Sequence, residues 1–249
     1  MTRLKAAALT ALLAAAVPAP GLGADPTPRF GPDAEPITRS RAYLREAEAP
    51  DYWALSAFYV SQATDSACSV ASVAMMINAL RGLPPLAAEP LVTQDGLLDA
   101  VGDAGWRAAV AEGGEGVSFA ELVGYVRRAA AAFGLEADVE VFRPRDTSPE
   151  TLAALRRILE ENERSGEDII LLVYDQGTLT GDAGAGHIAP LGAYDAARRR
   201  VLVMDVDRQW YVPYWSGDGK LLEAMLKPDR SDPDGSGLIR VRRRRGDAG

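Results

Sequence analysis

Apolar residues recur at helical spacing in several stretches of the chain. In "CSVASVAMMINAL" (68–80), Val70, Val73, Ile77 and Leu80 repeat with that period, and Gly82 with Pro84 stops the run. "SFAELVGYVRRAAAAFGL" (118–135) opens on Ser118 as cap, with Glu121 at the spacing of a capping box. "SPETLAALRRILEENERSG" (148–166) sets Ser148 as cap, Pro149 at the first helical position and Gly166 at the end. Residues 37–60 also read as helical, with Leu44, Tyr52, Trp53, Leu55 and Phe58 as apolar contacts. Short apolar runs between turns then take over: "DVEVFRP", followed later by "DIILLVYD", "GHIAPLGAYD", "RRVLVMDVD" and "SGLIRVRR". Helices come first and strands later, which predicts an α+β fold.

The two ends depart from this pattern. "MTRLKAAALTALLAAAVPAPGLGADP" has a basic start at Arg3 and Lys5, an apolar run from Ala6 to Val17, and small residues near Gly23 and Ala24. That predicts a signal peptide over 1–24 and an exported protein, periplasmic or secreted. Residues 25–36, "DPTPRFGPDAEP", read as a proline-rich linker, and 246–249 as a tail. After the N-terminus no run of eighteen uncharged apolar residues occurs, so no membrane span is expected once the signal is cleaved.

Composition narrows the partners. The chain of 249 residues carries a formal charge of −8, and losing Arg3 and Lys5 makes the remainder more acidic. An acidic body argues against nucleic acid, and "RVRRRR" near the C-terminus is too local to reverse that.

One cysteine and one histidine are present. A lone thiol in an exported chain is buried and inert, available to another molecule, or reactive. Cys68 falls in the first turn of its helix, where backbone N–H groups favour a thiolate. A thiolate still needs a base. His187 lies in a glycine-rich approach to a hairpin. With the turn centred on Ala196, His187 faces Asp205, close enough for the carboxylate to hold one ring nitrogen and leave the other for the thiol. Pro190, within the same strand, can shift that register through a bulge. Gln62, six residues before Cys68, is a candidate oxyanion donor beside the Cys68 N–H.

These stretches resemble the phytochelatin synthase family, a branch of the papain-like cysteine peptidase clan. "QATDSACSVASVAMMINAL" is similar to that family's nucleophile motif, "GHIAPLGAY" to its histidine motif, and "LVMDVDRQWYVPYW" to the segment carrying its aspartate, with "KLLEAM" following. The likeness covers about 38–245, and a single catalytic domain is expected over 37–245. It implies a papain-like fold in which a helical part carrying Cys68 packs on an antiparallel sheet carrying His187 and Asp205. It implies Gln62 as oxyanion donor, and Arg208, Tyr211 and Asp229 at positions associated with substrate binding. It also implies the reaction: Cys68 cleaves the Cys–Gly bond of glutathione, and the γ-glutamylcysteinyl thioester passes to water or to a second glutathione. No cofactor is implied, and metal ions enter as metal–glutathione thiolate substrate. A homodimer is left open.

The chain departs from the family pattern at several places. Ser69 replaces a glycine, Asp65 to Ala67 replace a proline-aromatic approach, and Ser236 stands where the family usually has an arginine that helps hold the glutamyl carboxylate. A cysteine-rich C-terminal extension is not expected, and hydrolysis is expected to dominate over transfer. The alternatives are a peptidase or amidase acting on another γ-glutamyl or wall-derived peptide, and a binding module that kept the fold. Intact Cys68, His187 and Asp205 argue against the second.

Overall fold

The computed structural model describes residues 30–82 and 90–244. The expected signal peptide, the first part of the linker, Pro84 and the expected tail lie outside the described residues. In chain order the elements are β1 (Ala34–Pro36), α1 (Ala42–Glu46), α2 (Pro50–Ser56), α3 (Cys68–Arg81), α4 (Gln94–Val101), α5 (Ala104–Ala109), α6 (Phe119–Ala132), β2 (Ala137–Phe142), α7 (Pro149–Asn162), β3 (Asp168–Asp175), α8 (Gln176–Thr180), β4 (Gly186–Asp195), β5 (Arg200–Val203), β6 (Tyr214–Gly217), α9 (Asp218–Leu226) and β7 (Leu238–Arg243).

Local signals account for much of this. Ser118 and Glu121 form the reciprocal capping box of α6, and Ser148 caps α7 ahead of Pro149. α7 stops at Asn162, short of Gly166, and the Asn162 amide donates to the Asp168 carbonyl at 3.0 Å. The helical reading of 37–60 resolves into α1 and α2. Pro50 lacks the N–H that a continuous helix needs and opens α2 instead, after Ala49 at φ 42°. The linker expectation is corrected at its end, because residues 34–36 form edge strand β1 against β6. Phe30 packs edge-on against Tyr211 and Tyr214.

Among the described residues the strands form one antiparallel sheet in the order β1-β6-β5-β4-β3-β7-β2. Helices cover both faces, so β3 is buried along its whole length. Its side chains alternate between two cores. Ile169, Leu171 and Val173 join the core shared with α2 to α6, while Ile170, Leu172 and Tyr174 join the one shared with α7, α8 and α9. The α+β reading therefore agrees with the structure.

The expected hairpin register does not. β4 and β5 pair Asp195 with Arg200 and Tyr194 with Val201, which centres the turn between Ala197 and Arg198 and not on Ala196. A bulge between Leu191 and Ala193 then shifts the ladder to Leu191 opposite Val203. Leu191 faces the α7 side and Ala193 the α3 side, so the bulge flips the alternation. At Gly192 a Cβ would meet Met204 Cγ at 2.8 Å and Leu202 Cδ2 at 3.2 Å, so any side chain there would have to displace the side chains packed over it.

Candidate active site

Cys68 is the first residue of α3, a helix buried around most of its circumference. Its entry loop is tied down on several sides. Gln94 accepts from the Ala63 N–H at 3.0 Å and donates to the Ser61 carbonyl at 2.9 Å, Thr64 Oγ1 donates to the Val110 carbonyl at 2.7 Å, and Ser66 Oγ donates to the Gly114 carbonyl. Within the helix, Ser69 Oγ accepts from the Trp106 indole at 3.0 Å. Ser72 Oγ donates to the Ile188 carbonyl at 3.0 Å, which fixes α3 against β4 one residue from His187.

His187 is the second residue of β4 and is buried. Its Nε2 lies 2.9 Å from Asp205 Oδ1, and the Cys68 thiol lines the same cleft beside the ring. With Nε2 taken by the carboxylate, Nδ1 remains for the sulfur. The corrected register means that Asp205 is not directly opposite His187. β5 ends at Val203, so no ladder pair sets Asp205 opposite His187; the carboxylate reaches the imidazole from the segment that follows β5. Asp205 is fully buried, yet every carboxylate oxygen has a partner. Oδ1 also accepts the Asp207 N–H at 2.9 Å, and Oδ2 accepts the Gln176 amide at 3.0 Å. The Tyr59 hydroxyl donates to the Asp205 carbonyl, and the Gln62 N–H to the Val206 carbonyl at 2.8 Å. Tyr174 meets the His187 ring edge-on, with its hydroxyl 3.0 Å from that of Tyr214.

The electrostatics follow from this burial. Desolvation alone pulls the His187 pKa down, but the Asp205 charge and hydrogen bond, helped by Cys68, carry it well above the usual 6.5. Desolvation pushes Asp205 up, and the imidazole, the Asp207 N–H and the Gln176 amide more than offset that, leaving it below the ordinary carboxylate value. An imidazolium held beside a thiol and backed by a carboxylate can support a thiolate nucleophile.

A cleft of about 420 Å³ opens over this group. Cys68, Val117, Val173, His187 and Asp229 are among its walls. Of the three residues that the resemblance associated with substrate, Asp229 alone lines it. Arg208 stacks over the Tyr59 ring at 4.6 Å, and Tyr211 is buried with its hydroxyl donating to Asp182 at 2.9 Å. The Gln62 side-chain amide donates to the Asp65 carbonyl at 3.4 Å, while Oε1 is buried without a partner. Ser236 is turned inward, and its hydroxyl donates to the Val173 carbonyl at 2.6 Å. Gln176, under Asp205, was not foreseen. It directly follows β3, and no local pattern distinguishes it from any other strand-end glutamine. Among the described residues no group of three or more His, Cys, Asp or Glu side chains is arranged to hold a metal ion.

The sheet, the helix that begins at Cys68 and the buried histidine–aspartate pair together define a protein with a thiol, an imidazole and a carboxylate at one cleft. Comparison with known proteins gives the family. The phytochelatin synthase family model matches residues 37–237, and the chain belongs to that family. It is 31% identical over 129 residues to glutathione gamma-glutamylcysteinyltransferase 1 of Arabidopsis thaliana, covering 52% of this chain and 24% of that protein. It is 25% identical over 208 residues to glutathione gamma-glutamylcysteinyltransferase 2 of the same plant, covering 80% and 41%. A shorter match to glutathione gamma-glutamylcysteinyltransferase 3 of Lotus japonicus is 39% identical over 67 residues, covering 27% and 14%. The chain thus spans less than half the length of each of these relatives.

Proposed function

We propose that this chain is a papain-like, thiol-dependent enzyme that cleaves the Cys–Gly bond of glutathione. The observation that carries the proposal is Cys68 and His187 lining one cleft, with 2.9 Å between the His187 imidazole and the Asp205 carboxylate. In this reading the thiol proton passes to His187, and Cys68 Sγ bonds to the cysteinyl carbonyl carbon of glutathione. The C–N bond to glycine then breaks, and His187 returns the proton to the leaving amine. What remains is a γ-glutamylcysteinyl thioester on Cys68. Water, or the amine of a second glutathione, adds to its carbonyl; the C–S bond breaks and the thiolate re-forms beside protonated His187. Asp205 holds the ring orientation and stabilises the imidazolium. The Cys68 N–H and the Gln62 amide are the proposed oxyanion donors. The Gln62 amide must turn away from Asp65 to reach that position, and its long 3.4 Å contact costs little to break.

In this reading metal ions enter as part of a metal–glutathione thiolate substrate. The sequence of residues 1–24 supports export. Incubating the protein with millimolar glutathione, with and without cadmium, and analysing products by mass spectrometry tests the activity. Glycine and γ-glutamylcysteine are expected as the main products, and Cys68→Ala is expected to retain less than about a hundredth of the rate. Longer γ-glutamylcysteine polymers in excess would identify a transferase. No product at all, with Cys68 still readily alkylated, would favour another γ-glutamyl or wall-derived peptide. The inward-turned Ser236 is the observation that keeps this second reading in play.

A further inference from the structure

The cleft above Cys68 has an uneven charge pattern. Besides Cys68 and His187, its ionisable lining residues are Glu115, Asp229, Arg230 and Asp232. Two of the three carboxylates are occupied by their own walls. Asp229 Oδ1 accepts the N–H groups of Ser231 and Asp232 at 2.6 and 2.7 Å. Asp232 Oδ2 accepts the Phe119 N–H at 2.8 Å, and its Oδ1 lies 4.0 Å from the Arg143 guanidinium. Glu115 and Arg230 remain, and they form an ion pair with each other. Glu115 belongs to the connection between α5 and α6, and Arg230 to the one after α9, so the pair joins two walls of the cleft. Both side chains are largely exposed, at 75% and 81%.

Apart from the His187 imidazolium, Arg230 is the only cation among the described residues lining this cleft. The nearest other candidates are committed elsewhere. Lys227 Nζ is 2.8 Å from Asp175, and Arg143 donates twice to the Gly235 carbonyl. Glu115 sits on a firm support: Gly114 packs so closely that a Cβ there would lie 2.3 Å from the Ala109 carbonyl, and the Gly116 N–H donates to that same carbonyl at 2.9 Å.

We propose that Arg230 is the carboxylate-recognising residue of this cleft, and that Glu115 is a resident counter-ion which an incoming substrate carboxylate displaces. The proposal rests on the glutathione reading and adds a specificity residue to it. A guanidinium offers a planar fork that matches a carboxylate. An exposed ion pair contributes little to stability and is screened by salt, so exchanging one carboxylate for another on Arg230 costs little. The guanidinium keeps an anionic partner throughout, and a ligand without a carboxylate gains nothing from opening the pair. Arg230 would thereby select anionic peptides in a cleft otherwise lined by acids.

The test is steady-state glycine release from glutathione by wild type, Arg230→Ala, Arg230→Lys and Glu115→Gln. Arg230→Ala is expected to raise KM by about two- to fivefold with a smaller change in the saturating rate, the pattern of lost uniform binding, and Arg230→Lys to fall between. Glu115→Gln is expected to lower KM, because it removes the competitor. Opposite signs separate recognition from a merely structural bridge, which either substitution would break alike. Amidating one carboxylate of glutathione should reproduce the KM rise in wild type and add nothing in Arg230→Ala. Equal effects of the two substitutions, or additive effects of amidation, would overturn the proposal. A second measurement does not depend on the substrate: the ratio of Cys68 alkylation rates by iodoacetate, which carries a carboxylate, and neutral iodoacetamide, at low salt. Arg230→Ala should lower that ratio several-fold and Glu115→Gln should raise it. An unchanged ratio overturns the role of Arg230. A changed ratio in a protein that leaves glutathione intact upholds Arg230 and refutes glutathione as the substrate.

Discussion

Asp205→Asn isolates the charge behind His187 without altering the shape of the site. Asp205 is fully buried, and its oxygens meet three donors: His187 and the Asp207 N–H at Oδ1, and the Gln176 amide at Oδ2. An asparagine can keep its oxygen at the Oδ1 position and place its NH₂ toward Gln176. The Gln176 amide then turns over to present its own oxygen, so every hydrogen bond has a counterpart and the fold should persist. What is lost is attraction between carboxylate and imidazolium. Unit charges about 4 Å apart interact by roughly 4 kcal/mol at an effective dielectric of about 20, and the 2.9 Å contact belongs to that range. Since about 1.4 kcal/mol is tenfold in rate, kcat/KM should fall by about a hundred- to a thousandfold. His187 should also lose its proton at lower pH. Asp205 is what holds the His187 pKa up against desolvation, and without it burial favours the neutral imidazole. Turnover of glutathione and an NMR titration of the imidazole from about pH 5 to 9 measure both effects. Asp205→Asn within tenfold of wild type in turnover, with an unmoved imidazole titration, would refute the charge argument.

Three further outcomes are expected. Gln176→Ala strips a donor from a buried carboxylate oxygen and should lower unfolding stability by about 1–3 kcal/mol, read by chemical denaturation, with a loss of activity smaller than that of Asp205→Asn. Ser236→Arg should not create a substrate-binding arginine; it should destabilise the protein by about 1–3 kcal/mol or more, because the site is buried and its hydroxyl is bonded to Val173, and a KM for glutathione improved at unchanged stability would contradict this. The stability of wild type relative to His187→Gln should depend on pH in a fixed direction. The folded pKa of His187 lies above its unfolded value near 6.5, so its contribution is complete below about pH 6.5 and fades as pH rises through the folded pKa. Melting curves of both proteins from about pH 5.5 to 9 check the sign.

The parts of the fold that were legible in advance are those with dense local signals. α6 and α7 carry their caps in the chain itself, and β3 is a continuous apolar run bounded by aspartates. α3 was readable from its period and from the glycine behind it. α4 and α5 were not singled out, because each buries only one or two side chains, Leu97 and Leu98 in one and Trp106 in the other, and tertiary packing does the rest. The hairpin between β4 and β5 lacks an Asn-Gly or Asp-Gly signal. Its left-handed position falls on Arg199 at φ 53°, and a bulge at Gly192 adds a shift that no propensity encodes. The histidine and the aspartate meet nevertheless, because the chain leaving β5 still runs beside the start of β4, within reach of an imidazole. Gln176 and the Glu115–Arg230 pair depend on loops brought together from distant parts of the chain, which spacing along one sequence does not encode.

The two edges of the sheet bear on how copies of this protein can meet. β1 is three residues long and ends in Pro36, which has no N–H to offer another strand. At the opposite edge, β2 presents exposed Asp138 and Glu140. Short, proline-ended and charged borders all discourage a second sheet from adding on. Strand-to-strand growth, whether into an orderly dimer or into aggregates, is therefore disfavoured at both ends. A homodimer of this chain would have to be built from helix surfaces or loops, leaving the sheet and the group it carries undisturbed inside each copy.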